Sequence, residues 1–253
     1  EEKYGLTEAL IAVPAYEQSS DQEVAFQAVD YILRVLKKNM VFGMTWGRAM
    51  HEFVEQLAKD ERLRSLSFQN VKVVPFLGTP GAIQSDSWNT TTYSNTLATK
   101  VGNLLHCASY NLSAPMYVEG TKEKELIESI DEIAKVLHMA ETADIALIGI
   151  GSMQDDSSII KAEIRTREEY KELVRKGAVG EIVGRIYDKN GQTVDEDLKR
   201  KMVGISLDKI AKIPVRVGMS YGKDKIEAIK GAIAGGLVNV LVTDVPTAEL
   251  LLK

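Results

Sequence analysis

The chain has 253 residues, 45% of them hydrophobic and 26% charged, so it can bury a full core and fits one α/β domain. The net charge of −5 argues against a protein that wraps a nucleic-acid backbone, and the basic run at 199–201 is expected to be a solvated face. One cysteine, Cys107, excludes an internal disulfide, and no apolar run approaches the ~20 residues of a membrane span. These features predict a cytoplasmic protein with no membrane partner.

Apolar strands alternate with amphipathic helices along the first half of the chain. Strands are predicted at 9–14, 39–43 and 71–77, and helices at 21–38, 46–59 and 95–109. Asp21 is the expected N-cap of the first helix, and Cys107 should be buried in the third as a small apolar residue. The polar, turn-rich stretch at 84–94 is the best candidate for a lid loop.

The second half continues the alternation. Strands are predicted at 144–149, 181–187, 214–218 and 238–243, with a turn at 188–191 and charged helices between them. Asp244 should cap the last helix, which has Pro246 near its first position. The pattern implies a mostly parallel sheet covered by helices on both faces, with ligands at the carboxyl ends of the strands. The segment 189–194 suggests an appended antiparallel hairpin.

A glycine-flanked polar motif follows the second predicted strand. Gly43 and Gly47 flank Thr45 and Trp46, and Arg48 falls in the first turn of the next helix. Backbone N–H groups at a helix N-terminus attract anions, and a guanidinium adds bidentate donors. The motif resembles a phosphate cradle, while a tight turn with a solvated arginine is the alternative that the residues leave open.

Two further predicted strands run into glycine-rich turns. Gly78 and Thr79 follow the strand at 71–77, and Gly149 and Gly151 follow the strand at 144–149. For Gly78 and Thr79 alone, an ordinary turn is the favoured interpretation.

The residues that acid–base catalysis would need are poorly placed. Asp155 and Asp156 follow the second turn, but no histidine accompanies them. His51, His106 and His138 all fall in predicted helices remote from strand ends, so the usual carrier of protons at neutral pH is missing. No metal-ligand spacing occurs either, and neither catalysis nor a metal site is expected.

Two charged residues later in the chain are weaker candidates. Glu181 opens a predicted strand, where a carboxylate suits recognition of vicinal hydroxyls, although an ordinary edge-strand glutamate is the alternative. Lys225 lies in the first turn of the last-but-one helix, where acids are usual, so a cation there indicates an anionic ligand.

The final quarter, VGMSYGKDKIEAIKGAIAGGLVNVLVTDVPTAELLLK, and the segment GAVGEIVGRIYDKNG resemble the SorC family of sugar-responsive bacterial transcription regulators. The likeness covers nearly the whole chain, from GLTEALIAVP to the last helix. It implies an α/β, Rossmann-like sheet similar to that of glucosamine-6-phosphate deaminase and ribose-5-phosphate isomerase.

The resemblance also implies a function. The whole chain, 1–253, would be the effector-binding domain, which takes a sugar or sugar phosphate without a cofactor. Operator DNA would be bound by an N-terminal helix-turn-helix domain, and because the chain opens on Glu1 rather than Met, that domain is expected upstream. A homodimer or homotetramer is expected. The alternatives are a sugar-phosphate isomerase or deaminase on the same fold, and a carbohydrate-binding module without a genetic role.

Individual site residues follow from the resemblance as well. The motif around Thr45 and Arg48 would lie at the phosphate or sugar, Asn95 would face the pocket, and Glu181 would bind effector hydroxyls. Several relatives carry Lys or Arg immediately before the glycine of the 71–77 strand end, where it contacts phosphate or forms an imine. Here Leu77 occupies that position, which argues against covalent capture and indicates either a ligand with fewer anionic groups than a bisphosphate or a different source of the second positive charge.

Overall fold

The computed structural model describes residues 1–13, 20–80, 90–155 and 157–253. Asp156 and most of the expected lid at 84–94 lie outside these ranges. The strands, numbered along the chain, are β1 (Glu8–Ala12), β2 (Val41–Met44), β3 (Lys72–Pro75), β4 (Ala108–Ser109), β5 (Ile145–Gly149), β6 (Gly151–Ser152), β7 (Ala178–Ile182), β8 (Arg185–Asp188), β9 (Val215–Met219) and β10 (Val240–Asp244).

The helices lie between these strands and after the last one. They are α1 (Ser20–Val35), α2 (Arg48–Leu57), α3 (Ser94–Leu104), α4 (Thr121–Glu128), α5 (Asp131–Glu141), α6 (Ser158–Lys161), α7 (Arg167–Arg175), α8 (Glu196–Lys201), α9 (Leu207–Ile210), α10 (Ile226–Ala234) and α11 (Val245–Leu252). Within the described ranges, no helix combines the length and the apolar character needed to cross a membrane.

Seven strands form one parallel sheet in the order β1-β10-β9-β5-β2-β3-β4. The chain runs from β2 outward through β3 to β4, then returns to β5 on the other side of β2. The carboxyl ends of β2 and β5 therefore flank a topological switch point, where ligands bind in open α/β sheets. The predicted fold class is confirmed.

The buried apolar residues fall on both faces of this sheet. Along β5, Ile145 and Leu147 pack in one cluster with α1, α2 and α3, whereas Ala146 and Ile148 pack in another with α5, α7 and α10. Successive side chains of a strand point to opposite faces, so a strand buried on both sides must be apolar throughout. This is why the 144–149 run carries no polar alternation.

A small antiparallel sheet, β6-β7-β8, is appended to the large one. The strand predicted at 181–187 is broken, because the chain turns at Val183 and Gly184, whose φ angles are +54° and +68°. The expected turn at 188–191 does form, and Gly191 donates to the Asp188 carbonyl, but only one bridge, between Tyr187 and Thr193, continues it.

Three other predictions need correction. Asp21 is the second residue of α1 rather than its N-cap. The third helix ends at Leu104, because His106 adopts a φ of +51°, which a helix cannot continue. Cys107 therefore lies between α3 and β4 and is only half-buried, so it is not the buried helical residue that was expected.

Candidate functional site

The loop between β2 and α2 forms one side of a cavity at the switch point. Thr45 is buried; its backbone N–H donates to the Leu147 carbonyl, and its Oγ1 accepts from the Gly149 N–H at 3.0 Å. The threonine therefore joins the tips of β2 and β5. Gly47 has a φ of +103° and is the N-cap of α2. Because glycine has no side chain, it gives the first N–H groups of α2 no capping oxygen.

Glu181 forms the floor of the cavity. Its side chain is 7% exposed, and its Oε1 accepts from the Gly184 N–H at 2.6 Å. Burial raises the pKa of Glu181, while hydrogen bonds from Gly184 and the Trp46 side chain and the charge of Lys225 act against that shift. A Cβ at Gly151 would lie 2.9 Å from the Glu181 carboxylate, so glycine at 151 allows this close approach.

A hydrogen-bonded network fixes the lysine at the opposite wall. Lys225 Nζ donates to Ser152 Oγ at 2.9 Å, and that hydroxyl donates to Asp224 Oδ2 at 2.9 Å. Lys225 is the last residue of the short 3-10 turn Lys223–Lys225 and the N-cap of α10, so it lies just before the first turn of the helix, where it was predicted.

The cavity has two adjoining lobes of about 430 and 460 Å³. Both are bordered by Gly47, Arg48, Gly151, Glu181 and Lys225. Cations and carboxylates thus converge on one space, together with the N-terminus of α2. Such a mixture can neutralise an anionic group at one point and accept hydrogen bonds from hydroxyls at another.

Several bordering residues were not predicted. Asp21 borders both lobes. Burial, and to a smaller extent a hydrogen bond with Asp21, raises the pKa of the Tyr221 phenol. His51 and Lys161 border the second lobe, so the expectation that the histidines are remote from strand ends is wrong for His51. Asp21 could have been found from topology, because α1 follows β1 at the same edge of the sheet. Lys161 had no such signal, since it lies in a four-residue helix.

The remaining candidates lie elsewhere. Gly43 is inside β2, where a Cβ would lie 1.9 Å from the Phe76 ring, so its role is in core packing. Asn95 donates to Thr79 Oγ1 at 2.8 Å and to the Leu112 carbonyl at 3.1 Å, and accepts from the Leu112 N–H at 2.9 Å. These contacts satisfy its amide at the tip of β3.

Gly78 and Thr79, in the described part of the turn after β3, border neither lobe. Gly78 donates to the Val203 carbonyl and Thr79 to the Ala114 carbonyl, so both glycine and threonine serve backbone pairing. Leu77 is 1% exposed and forms a bridge with Gly204. An apolar residue at 77 is thus part of the core on this side.

Other ligand classes find less support. Within the described ranges, no three His, Cys, Asp or Glu side chains gather closely enough to hold a metal ion. A larger hollow of about 730 Å³ lies along α5, away from the carboxyl ends of β2 and β5. The strand-end cavity is the candidate functional site, because charged groups from five separate chain segments converge there.

Comparison with known proteins shows the family of the chain. The whole chain, residues 1–253, matches the protein family described as "Putative sugar-binding domain". The sorbitol operon regulator of Klebsiella pneumoniae is 30% identical over 100% of this chain and 78% of its own length. The transcriptional regulator LsrR of Escherichia coli O157:H7 is 30% identical over 89% of this chain and 67% of its own length.

Solved structures give the same result. The full-length sorbitol operon regulator SorC from Klebsiella pneumoniae superposes with a TM-score of 0.87 at 28% identity, covering 100% of this chain and 78% of that one. A transcriptional regulator from Streptococcus pneumoniae gives a TM-score of 0.86 at 25% identity, with 99% and 93% coverage. The chain belongs to the sugar-binding domain family of SorC-type transcription regulators.

Proposed function

We propose that this chain senses a sugar or sugar phosphate in the cavity at the ends of β2 and β5, and leaves the ligand chemically unchanged. The observation that carries the proposal is the convergence of Arg48, Lys225 and the α2 N-terminus with the buried carboxylate of Glu181 on one space. A phosphorylated polyol offers both an anion and neighbouring hydroxyls, which these groups complement.

The proposed regulatory mechanism is a population shift between two arrangements of subunits. A ligand changes such an equilibrium only by the difference between its affinities for the two arrangements. In this proposal the chain, 1–253, is one effector domain of a cytoplasmic protein, and a helix-turn-helix domain that precedes it binds operator DNA. Ligand binding would change the spacing of the DNA-binding heads in a homodimer or homotetramer.

A thermal-shift screen against sugars and sugar phosphates tests the binding function. A ligand at 100 times its dissociation constant should add about 2.7 kcal/mol to the free energy of unfolding. For a phosphorylated hit, Arg48→Ala should abolish most of the shift, because it removes a cation at both lobes. Lys223→Ala is the matched control: it also removes a positive charge nearby, but Lys223 borders neither lobe. No shift with any sugar or sugar phosphate would contradict the proposal.

The rival function is a sugar-phosphate isomerase or deaminase. His51, which borders the second lobe, has its ring nitrogens 3.8 and 3.9 Å from the carboxylates of Glu52 and Glu55. The proposed sensor should not convert ribose 5-phosphate or an amino-sugar phosphate. Chromatography of the reaction products measures this. Turnover at an enzyme-like rate that is lost in Glu181→Gln would replace sensing with catalysis.

A further inference from the structure

The two lobes of the strand-end cavity differ in the side chains at their outer ends. The first lobe alone is bordered by the aromatic rings of Trp46 and Tyr221. The second lobe alone is bordered by the basic side chains of His51 and Lys161. An aromatic ring packs well against the C–H face of a sugar, whereas a cation attracts an anionic group. The two ends of the cavity therefore suit different parts of one ligand.

The charges that border the lobes differ in the same direction. Both lobes share two cations and two carboxylates, which are those of Arg48, Lys225, Asp21 and Glu181. Each lobe has one further carboxylate of its own, from Asp224 in the first and from Glu52 in the second. Among the described residues, Lys161 therefore gives the second lobe one more permanent positive charge than the first.

The ammonium group of Lys161 is available to a ligand. It makes no ion pair or hydrogen bond with any residue of the described ranges, although its side chain borders the second lobe. Lys225 differs in this respect, since its Nζ donates to Ser152 Oγ at 2.9 Å and lies 3.6 Å from the Asp224 carboxylate. A phosphate in the second lobe would give Lys161 the charged partner that the described fold does not supply.

The backbone that carries Lys161 is anchored to the floor of the cavity. Ile159, in the middle of α6, is fully buried, and its Cδ1 would lie 3.5 Å from a Cβ at Gly184. Gly184 belongs to the turn whose N–H donates to the Glu181 carboxylate. The Lys161 N–H donates to the Ser157 carbonyl at 3.0 Å, so these two residues lie one turn apart on the same side of α6.

Ser157 adds a hydrogen-bond donor beside this lysine. Its side chain is buried and borders the second lobe, and its Oγ accepts from the Ile159 N–H at 3.2 Å. A hydroxyl can donate one proton while it accepts, and no residue of the described ranges receives the proton of Ser157. A buried donor next to a cation complements the oxygens of a phosphate group, which are strong acceptors.

We propose that the second lobe is the phosphate subsite of the cavity, and that the first lobe takes the ring of a sugar monophosphate. Arg48, Lys161 and Ser157 hold the phosphate, and the sugar packs against Tyr221 while Glu181 accepts from its hydroxyls. The inference rests on the proposed function and deepens it. It orients the ligand, and it makes Lys161 the residue that distinguishes a phosphorylated sugar from its neutral parent.

Thermal-shift titration with inorganic phosphate, replacing chloride at constant ionic strength, tests the subsite. Phosphate should stabilise the wild type, and Lys161→Ala should raise its dissociation constant by about 5-fold, a modest factor because the lysine is partly open to solvent. Lys161→Arg should stay within about 2-fold of the wild type, since the charge and the donors remain. Lys171→Ala is the matched control: Lys171 is also exposed and helical, but it borders neither lobe.

Nuclear magnetic resonance of protein with ¹³C-methylated lysines locates the anion directly. The Lys161 signal, identified by its loss in Lys161→Arg, should move when inorganic phosphate is added, and the Lys171 signal should not. The proposal is overturned if phosphate fails to stabilise the wild type, if Lys161→Ala binds it equally well, or if the Lys161 signal stays in place. A sugar that stabilises the wild type and Lys161→Ala alike would remove the subsite but leave sensing intact, whereas failure of every sugar would contradict sensing itself.

Discussion

Glu181 is a carboxylate kept from water inside a polar cavity. The Gly184 N–H and the Trp46 side chain donate to it, and Lys225 is near enough to favour its charged form. Burial nevertheless outweighs these effects and raises the pKa of Glu181 above the ordinary 4.5. The site therefore keeps a group that can accept hydrogen bonds from hydroxyls at the cost of unfavourable desolvation.

The pH dependence of stability should reveal this desolvation. Because the folded state binds the Glu181 proton more tightly than the unfolded chain, the glutamate contributes most to stability at low pH, and this contribution falls as the pH rises from 4.5 through the raised pKa. The unfolding free energy of the wild type minus that of Glu181→Gln should therefore decrease as the pH rises over that range. Urea unfolding at several pH values measures it, with the exposed Glu125→Gln as control. A difference that rises with pH would contradict the argument.

At the scale of elements, Asn95 joins α3 to the tip of β3 and to the segment after β4. Asn95→Ala removes the acceptor of the N–H of the fully buried Leu112, whereas the Leu112 carbonyl keeps the hydrogen bond from the Ala114 N–H. We expect a loss of about 1–3 kcal/mol in the free energy of unfolding, which is the cost of one unsatisfied buried group. Chemical denaturation measures it. Asn103→Ala, at an exposed position of the same helix, should change stability by less than about 0.5 kcal/mol; equal effects would show that Asn95 has no such role.

The arrangement of the large sheet was predictable because its strands are short apolar runs that alternate with segments whose apolar residues recur at helical spacing. The hairpin turn at Val183 and Gly184 was missed because a β-branched residue rarely adopts a positive φ, and here the Glu181 carboxylate supports the turn through Gly184. The end of α3 was missed for a similar reason, since the left-handed conformation of His106 has no glycine to signal it.

The candidate site was predictable only where one chain segment supplies several of its groups. The turn motifs indicated Trp46, Gly47 and Arg48, and these residues border the cavity. Their roles in binding stay predictions. Gly43 and Asn95 could not be assigned from spacing, because Phe76 and Leu112, which decide their surroundings, are distant in sequence.

At the scale of the whole molecule, the large sheet is shared by two apolar clusters, one on each of its faces. Alternate residues of β5 belong to different clusters, so unfolding of one cluster would expose the apolar residues of the other. We expect a single cooperative unfolding transition, as the assignment of 1–253 to one domain requires. Tryptophan fluorescence and far-ultraviolet circular dichroism should give coincident midpoints in urea. Two separated transitions would indicate two independently folding units.

The pairing of β1 with β10, in which Glu8 lies opposite Val240, has a consequence for biosynthesis. Among the described strands of the parallel sheet, β1 pairs with β10 alone, so it waits for its partner while the ribosome adds the intervening residues. At roughly 5–20 residues per second this delay is about 10–50 s. During that time an apolar strand remains unpaired on the nascent chain, which makes it a target for chaperones and an aggregation hazard when translation stalls.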